Sequence, residues 1–210
     1  MNLDKETLLH IRGLIDELID DGEAHEPLEQ PSFPWGWKTR YIDNATNRAI
    51  IHLSGMGEWN DMDKALTMGP NGNTEDFDLY YILPTTSTGM YNEDKLYNII
   101  KVLYNEYNYD KVYLTGISSG CNSIYNYLKK SDYVDGCICV AGKSGLFENN
   151  SLPVWHFHNE GDTFVPLQAS TINAVNNGDI EKITVYEKSG HDAWTETFKN
   201  QDIYNWLKGL

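Results

Sequence analysis

The chain has 210 residues, 40% of them hydrophobic and 22% charged, which is the composition of a globular protein and the length of one domain with a single sizeable core. A net charge of −15 argues against nucleic acid and anionic membrane as partners. No apolar run reaches the roughly 20 residues of a membrane span. The start, Met1-Asn2-Leu3-Asp4-Lys5-Glu6, is polar rather than a secretory leader, so a cytoplasmic location is expected.

Residues 3–20 read as an amphipathic helix with Leu8, Ile11, Ile15 and Leu18 on one face, stopped by Gly22. That face is expected to pack on the rest of its own domain; a homo-oligomer contact or an adaptor are its other uses. Residues 23–38 carry Pro27, Pro31, Pro34, Trp35 and Trp37 and read as a connecting loop, so the helix and connector occupy 1–40 and the main domain 41–210.

Arg48 to Leu53 reads as a buried strand running into the Gly-rich loop Ser54-Gly55-Met56-Gly57-Glu58-Trp59. Residues 67–76 form a polar loop whose oxygens miss the spacing of a calcium loop. Phe77 to Leu83 is the next strand, stopped by Pro84, and Leu96, Ile100, Leu103 and Tyr107 mark one face of a helix. Then comes the central stretch. Val112 to Thr115 alternate as a strand should, Ile124, Tyr127 and Leu128 follow at helical spacing, and between them stands Gly116-Ile117-Ser118-Ser119-Gly120. This fits G-x-S-x-G, in which a serine sits on a tight strand-to-helix turn and the following amide, here Ser119 N–H, faces the same space.

Gly136 to Ala141 is another strand, in which Cys137 and Cys139 alternate with apolar residues. With Cys121 they make three cysteines, which cannot all pair and are expected to be reduced core thiols. Gly142-Lys143-Ser144 resembles the end of a phosphate loop, but Cys137 stands where the first glycine is required. Val154 to His158 is the next strand. His156 and His158 share one of its faces without a third metal ligand nearby, so they are expected to be packed and hydrogen-bonded. Asp162 follows, then a helix near 168–177, a last strand from Ile183 to Glu187, Gly190-His191-Asp192, and terminal helical turns. Strands alternating with helices predict a mostly parallel α/β sheet, with any site at the carboxyl ends of the strands. Met56, Ser118, Asp162 and His191 each follow a strand at that rim, in the chain order a hydrolytic triad requires.

Taken together, Leu53-Ser54-Gly55-Met56-Gly57-Glu58, Gly116 to Gly120, His158-Asn159-Glu160-Gly161-Asp162 through Val165-Pro166, and Gly190-His191-Asp192-Ala193-Trp194 resemble the α/β-hydrolases. They are most similar to esterases and peptidases of the polyhydroxybutyrate-depolymerase-like, feruloyl-esterase-like and dienelactone-hydrolase-like kind. The resemblance spans about residues 48 to 209. It departs at Ser54, where the family has histidine, and at Asn159, where it has glycine. It implies an α/β-hydrolase fold, Ser118 as nucleophile, His191 as base, Asp162 as acid, and the Met56 and Ser119 amides as oxyanion hole. Asp192 is a decoy for the acid, since side chains adjacent in sequence reach one another poorly.

The chemistry expected is hydrolysis of carboxylic esters with a short acyl group, including acetyl or feruloyl esters of carbohydrate, needing neither metal nor cofactor. Among Trp35, Trp37, Trp59, Trp155 and Trp194, core packing is expected for Trp155, and Trp59 and Trp194 are the candidate substrate contacts. A serine peptidase or thioesterase, or a hydrolase scaffold kept for binding or assembly, are the alternative readings.

Overall fold

The computed structural model describes residues 38–72, 74–83, 91–107, 109–128, 133–143, 152–167 and 182–210. The helices expected over 3–20 and 168–177, and Trp35 and Trp37, lie outside these.

Seven strands form one sheet: β1 (Lys38–Ile42), β2 (Arg48–Leu53), β3 (Asp78–Leu83), β4 (Lys111–Ile117), β5 (Gly136–Val140), β6 (Val154–Gly161) and β7 (Lys182–Ser189). Their spatial order is β1-β3-β2-β4-β5-β6-β7. Among the described residues only β1 runs antiparallel, against β3, and every other pair is parallel. β2 to β5 are buried on both faces, which is why they read as near-continuous apolar runs. The described helices are α1 (Met62–Met68), α2 (Glu93–Glu106), α3 (Ser119–Tyr127), α4 (Trp194–Lys199) and α5 (Gln201–Lys208).

The pleat sends alternate strand residues into two separate cores. On one face Ile51, Leu53, Leu114, Cys137 and Cys139 pack against Leu96, Ile100 and Leu103 of α2 and Cys121 and Ile124 of α3. On the other, Ile50, Tyr81, Tyr113, Ile138, Val140 and Phe157 meet Phe198 of α4 and Ile203, Tyr204 and Leu207 of α5. The three cysteines are free and buried.

Four differences from the sequence reading have local causes. β1 is a short, partly exposed edge strand whose residues show no clean alternation, and it spans the boundary expected at residue 40. α1 holds Thr67 and Met68, expected as loop; it is only seven residues long, held by Asp61, whose carboxylate accepts the Lys64 N–H, and ended at Gly69. Tyr107 does not continue the buried face of α2. It caps the helix and is exposed, while Tyr109 turns inward to hydrogen-bond Tyr80 and Asp78. β6 continues past His158 to Gly161, with a bulge between Asn159 and Gly161.

After β2 the chain moves to β3 on one side, then crosses back over β2 to β4 on the other. The order of the strands therefore reverses between β2 and β4, the point at which a parallel sheet offers a crevice beyond its carboxyl ends. The loop of Met56 leaves one of these strands and Ser118 leaves the other.

Candidate active site

Ser118 sits between β4 and α3 with φ 52° and ψ −115°, a conformation that L-residues rarely adopt and that surrounding structure must impose. Its neighbours show how. A Cβ on Gly116 would lie 2.8 Å from the Gly120 carbonyl carbon, and one on Gly120 would collide with the Leu53 carbonyl oxygen. Both glycines are needed for α3 to dock on β2 and β4, and that docking forces the tight turn. The Ser118 N–H donates to the Val140 carbonyl at 2.9 Å, fixing the turn to β5.

His191 follows β7 through Gly190, whose φ of +90° lies in the left-handed region that favours glycine. Asp162 follows β6. Its Oδ1 accepts the Phe164 and Val165 N–H groups at 2.9 and 3.0 Å, closing a turn on itself. Its Oδ2 lies 2.7 Å from His191 Nδ1, and His191 Nε2 lies 2.9 Å from Ser118 Oγ. A carboxylate has no proton to give, so Nδ1 carries the hydrogen and Nε2 is left to accept from the serine hydroxyl. Three side chains far apart in sequence are thus joined in one hydrogen-bonded line. The Asp162 side chain is fully buried and that of His191 is 19% exposed, so the line has one open end, at the serine.

Asp192 is turned away. Its carboxylate accepts the Thr195 N–H at 3.0 Å and the Thr195 hydroxyl at 2.8 Å at the start of α4.

The loop after β2 forms one 3-10 turn, Met56–Glu58. The buried Glu58 carboxylate accepts the Gly55 N–H at 2.6 Å, and burial pushes that carboxyl above its ordinary range. A Cβ on Gly55 would lie 2.9 Å from Glu58 Oε2 and 3.3 Å from Ser118 Cβ, so the loop lies directly against the serine. The Gly55 amide is committed to Glu58. Met56 and Ser119 are the first residues of their helical turns, where N–H groups have no intrahelical acceptor. Tyr91 secures the loop from behind, donating to the Ser54 and Ile82 carbonyls at 3.0 and 2.7 Å. Lys64 Nζ donates to the Gly57 carbonyl at 2.9 Å.

Two aromatic rings flank His191: Trp194 edge-on at 5.3 Å and Phe164, 80% exposed, at 5.7 Å between centroids. Trp59 is exposed where the 3-10 turn ends. Trp155 packs on Phe157 and Trp206, as expected of a core ring.

Sequence reasoning missed Phe164, Glu58 and Asn159. A lone phenylalanine in a loop carries no pattern. Glu58 is three residues from Gly55, a capping-box spacing, but no serine or threonine stands at the cap to signal it. His156 and His158 are buried and hydrogen-bonded to each other at 3.1 Å. Among the described residues no three His, Cys, Asp or Glu side chains are grouped to hold a metal ion, and no helix is long and apolar enough to cross a membrane.

No family profile matches this sequence, and no curated protein is similar to it in sequence. Solved structures do match. A carboxylesterase from Bacillus cereus superposes with a TM-score of 0.62 at 13% identity, over 84% of this chain and 95% of that one. A lipase-esterase related protein from Clostridium acetobutylicum gives 0.55 at 12% identity, over 82% and 98%. An acylaminoacyl peptidase from Pyrococcus horikoshii gives 0.58 at 16% identity, over 94% of this chain and 43% of that one. At such identities the likeness carries the fold and not the activity: the chain has the α/β-hydrolase fold.

Proposed function

We propose that this protein is a serine hydrolase that cleaves carboxylic esters through an acyl-enzyme. The observation that carries this reading is the unbroken line Ser118–His191–Asp162, with hydrogen bonds of 2.9 and 2.7 Å and its serine at the open end. Serine is a weak nucleophile at its own pKa. His191 takes the hydroxyl proton as Oγ attacks the ester carbonyl, and Asp162 holds the imidazole in the tautomer that leaves Nε2 free to do so. The negative charge that develops on the carbonyl oxygen is met by the Met56 and Ser119 amides. One such donor typically contributes about 3 kcal/mol to the transition state. His191 then protonates the departing alcohol, and water repeats the sequence on the acyl-enzyme. The base belongs to the protein, so no step calls for a Lewis acid.

Phe164 and Trp194 stand beside the group that protonates the leaving oxygen, so their rings would contact the alcohol side of the ester. Trp59 would form the opposite rim. Short acyl esters with a planar or carbohydrate alcohol suit such a site, acetyl esters among them; a feruloyl ester would instead bring its aromatic ring on the acyl side. Peptide and thioester cleavage use the same machinery, and one structural neighbour is a peptidase.

A fluorophosphonate probe tests the nucleophile: the wild-type protein should be labelled and Ser118→Ala, still folded, should not. A series of p-nitrophenyl esters beside aminoacyl anilides and acyl thioesters tests the bond class. Labelling of the Ser118→Ala protein elsewhere, or faster anilide than ester cleavage, would overturn the reading.

A further inference from the structure

Behind Asp162 runs a second hydrogen-bonded line that the mechanism above does not use. Tyr125 Oη lies 2.8 Å from His156 Nδ1, His156 Nε2 lies 3.1 Å from His158 Nδ1, and His158 Nε2 lies 2.7 Å from the Val165 carbonyl oxygen. The same Nε2 is 3.4 Å from Asp162 Oδ2. Tyr125, His156 and His158 are all buried, and the two imidazoles stack with centroids 5.4 Å apart and planes 11° from parallel.

The proton positions follow from one end. A carbonyl oxygen only accepts, so His158 Nε2 carries a hydrogen. In a neutral ring His158 Nδ1 is then bare and must accept from His156 Nε2–H. His156 Nδ1 is in turn bare and must accept from the Tyr125 hydroxyl. Burial supports the neutral rings and the protonated phenol: it pushes His156 down to about 3, lowers His158, and raises Tyr125.

We propose that Tyr125, His156 and His158 form a one-way relay of donors, every hydrogen pointing towards the Asp162–Val165 turn, and that His158 and His156 are positioning residues for Asp162. The relay grips the turn through the Val165 carbonyl, while the Val165 amide is bound to Asp162 Oδ1. Peptide 165 is thereby held by His158 on its oxygen side and residue 165 by the acid on its nitrogen side. With the turn fixed, Asp162 Oδ2 stays within 2.7 Å of His191. The opposite tautomer at His158 would set a bare Nε2 lone pair against a carbonyl oxygen and push the turn away. The proposal rests on Asp162 being the acid of the triad.

Two measurements test it, and they fail separately. The first needs no activity: long-range proton–nitrogen correlation spectra of the 15N-histidine-labelled wild-type protein near neutral pH. His156 and His158 should each show a protonated Nε2 and a bare Nδ1. A protonated Nδ1 on either ring, alone or in an imidazolium, would overturn the relay. The second is kinetic, on the ester that the p-nitrophenyl series finds best. His158→Phe keeps the ring volume and loses the donor. It should lower kcat by on the order of 10²-fold, with KM within a few-fold, as expected when a reacting group is misplaced by about 1 Å. His158→Gln, whose amide reaches the same carbonyl, should recover most of that loss. In the Asp162→Asn background His158→Phe should cost almost nothing more, because the residue it positions is already disabled. No loss in His158→Phe, equal losses in both backgrounds, or no recovery by glutamine would show that His158 does not act on Asp162 through that donor. A wild-type protein inert to every ester and to the fluorophosphonate probe would sink the proposed function, and with it the role of Asp162, while the spectra still decide the relay.

Discussion

The Asn159 side chain fastens the backbone on both sides of His191. Its amide donates to the Gly190 carbonyl at 2.9 Å and to the Asp192 carbonyl at 3.0 Å. The residue is 1% exposed, on β6, and reaches across to the loop after β7. Replacing it by alanine leaves two carbonyls without their donor, at a cost of about 1–3 kcal/mol in stability. It also frees the imidazole to drift. Asn159→Ala should lower kcat by roughly 10- to 100-fold with a small change in KM. Denaturant unfolding and steady-state kinetics on one preparation check both effects. Unchanged kinetics in a destabilised variant would confine Asn159 to folding.

The two acids near His191 should separate cleanly. Asp162→Asn should reduce kcat by about 10⁴, since an amide in that place favours the wrong tautomer of the imidazole. Asp192 only starts α4, so Asp192→Ala should cost about 1 kcal/mol of stability and leave kcat within a few-fold. Comparable kcat losses for the two variants would refute the assignment.

Glu58 acts on the other side of the serine. Glu58→Gln keeps an oxygen for the Gly55 N–H and should retain most activity. Glu58→Ala leaves that amide unpartnered beside the Met56 amide, and kcat should fall by about tenfold or more. A covalent phosphonate adduct should also form more slowly, because its oxygen occupies the same space. The rate of probe labelling, read by intact mass, gives this without any substrate.

Stability should decline in mild acid. His52 and His156 are both fully buried, and burial pushes each down to about 3, against 6.5 in the unfolded chain. Between those values the unfolded state binds a proton at each site that the folded state refuses, so stability rises with pH from about 3 to 6.5 and is level above. Each histidine can contribute up to about 1.4 kcal/mol per pH unit to that slope. The Glu58 carboxyl, shifted upward, works in the opposite direction above 4.5 and offsets a part. Urea unfolding at intervals from pH 4 to 8 measures the slope, and His156→Gln should flatten it. A stability that stays level or grows as the pH drops below 6 would contradict this account.

The sheet and its site were legible to different depths. β2 to β5 could be read because helices cover both faces and most of their residues are apolar, and the G-x-S-x-G spacing reports a steric need that only glycine meets. Ser118, Asp162 and His191 could be placed because a parallel sheet gathers its carboxyl ends at one rim. β1 could not: as a half-exposed edge strand its residues answer to solvent as much as to the core. α1 is too short to show a period. Asn159 reads as a departure from a family glycine until its amide is seen across the gap to β7. Its meaning depends on a register between β6 and β7 that no local pattern encodes. The direction of the Tyr125–His156–His158 line depends likewise on one carbonyl, that of Val165, seven residues beyond His158.

The backbone of Ser118 sets endurance against performance at a single position. A positive φ held on a side-chain-bearing residue stores roughly 1–3 kcal/mol that the rest of the fold must overcome. Glycine would release it, and Ser118→Gly should melt at a higher temperature than the wild type while doing no chemistry. Selection for robustness alone would therefore erase the hydroxyl. A serine held there, in a turn that penalises it, is what the proposed reaction calls for and what stability alone would not.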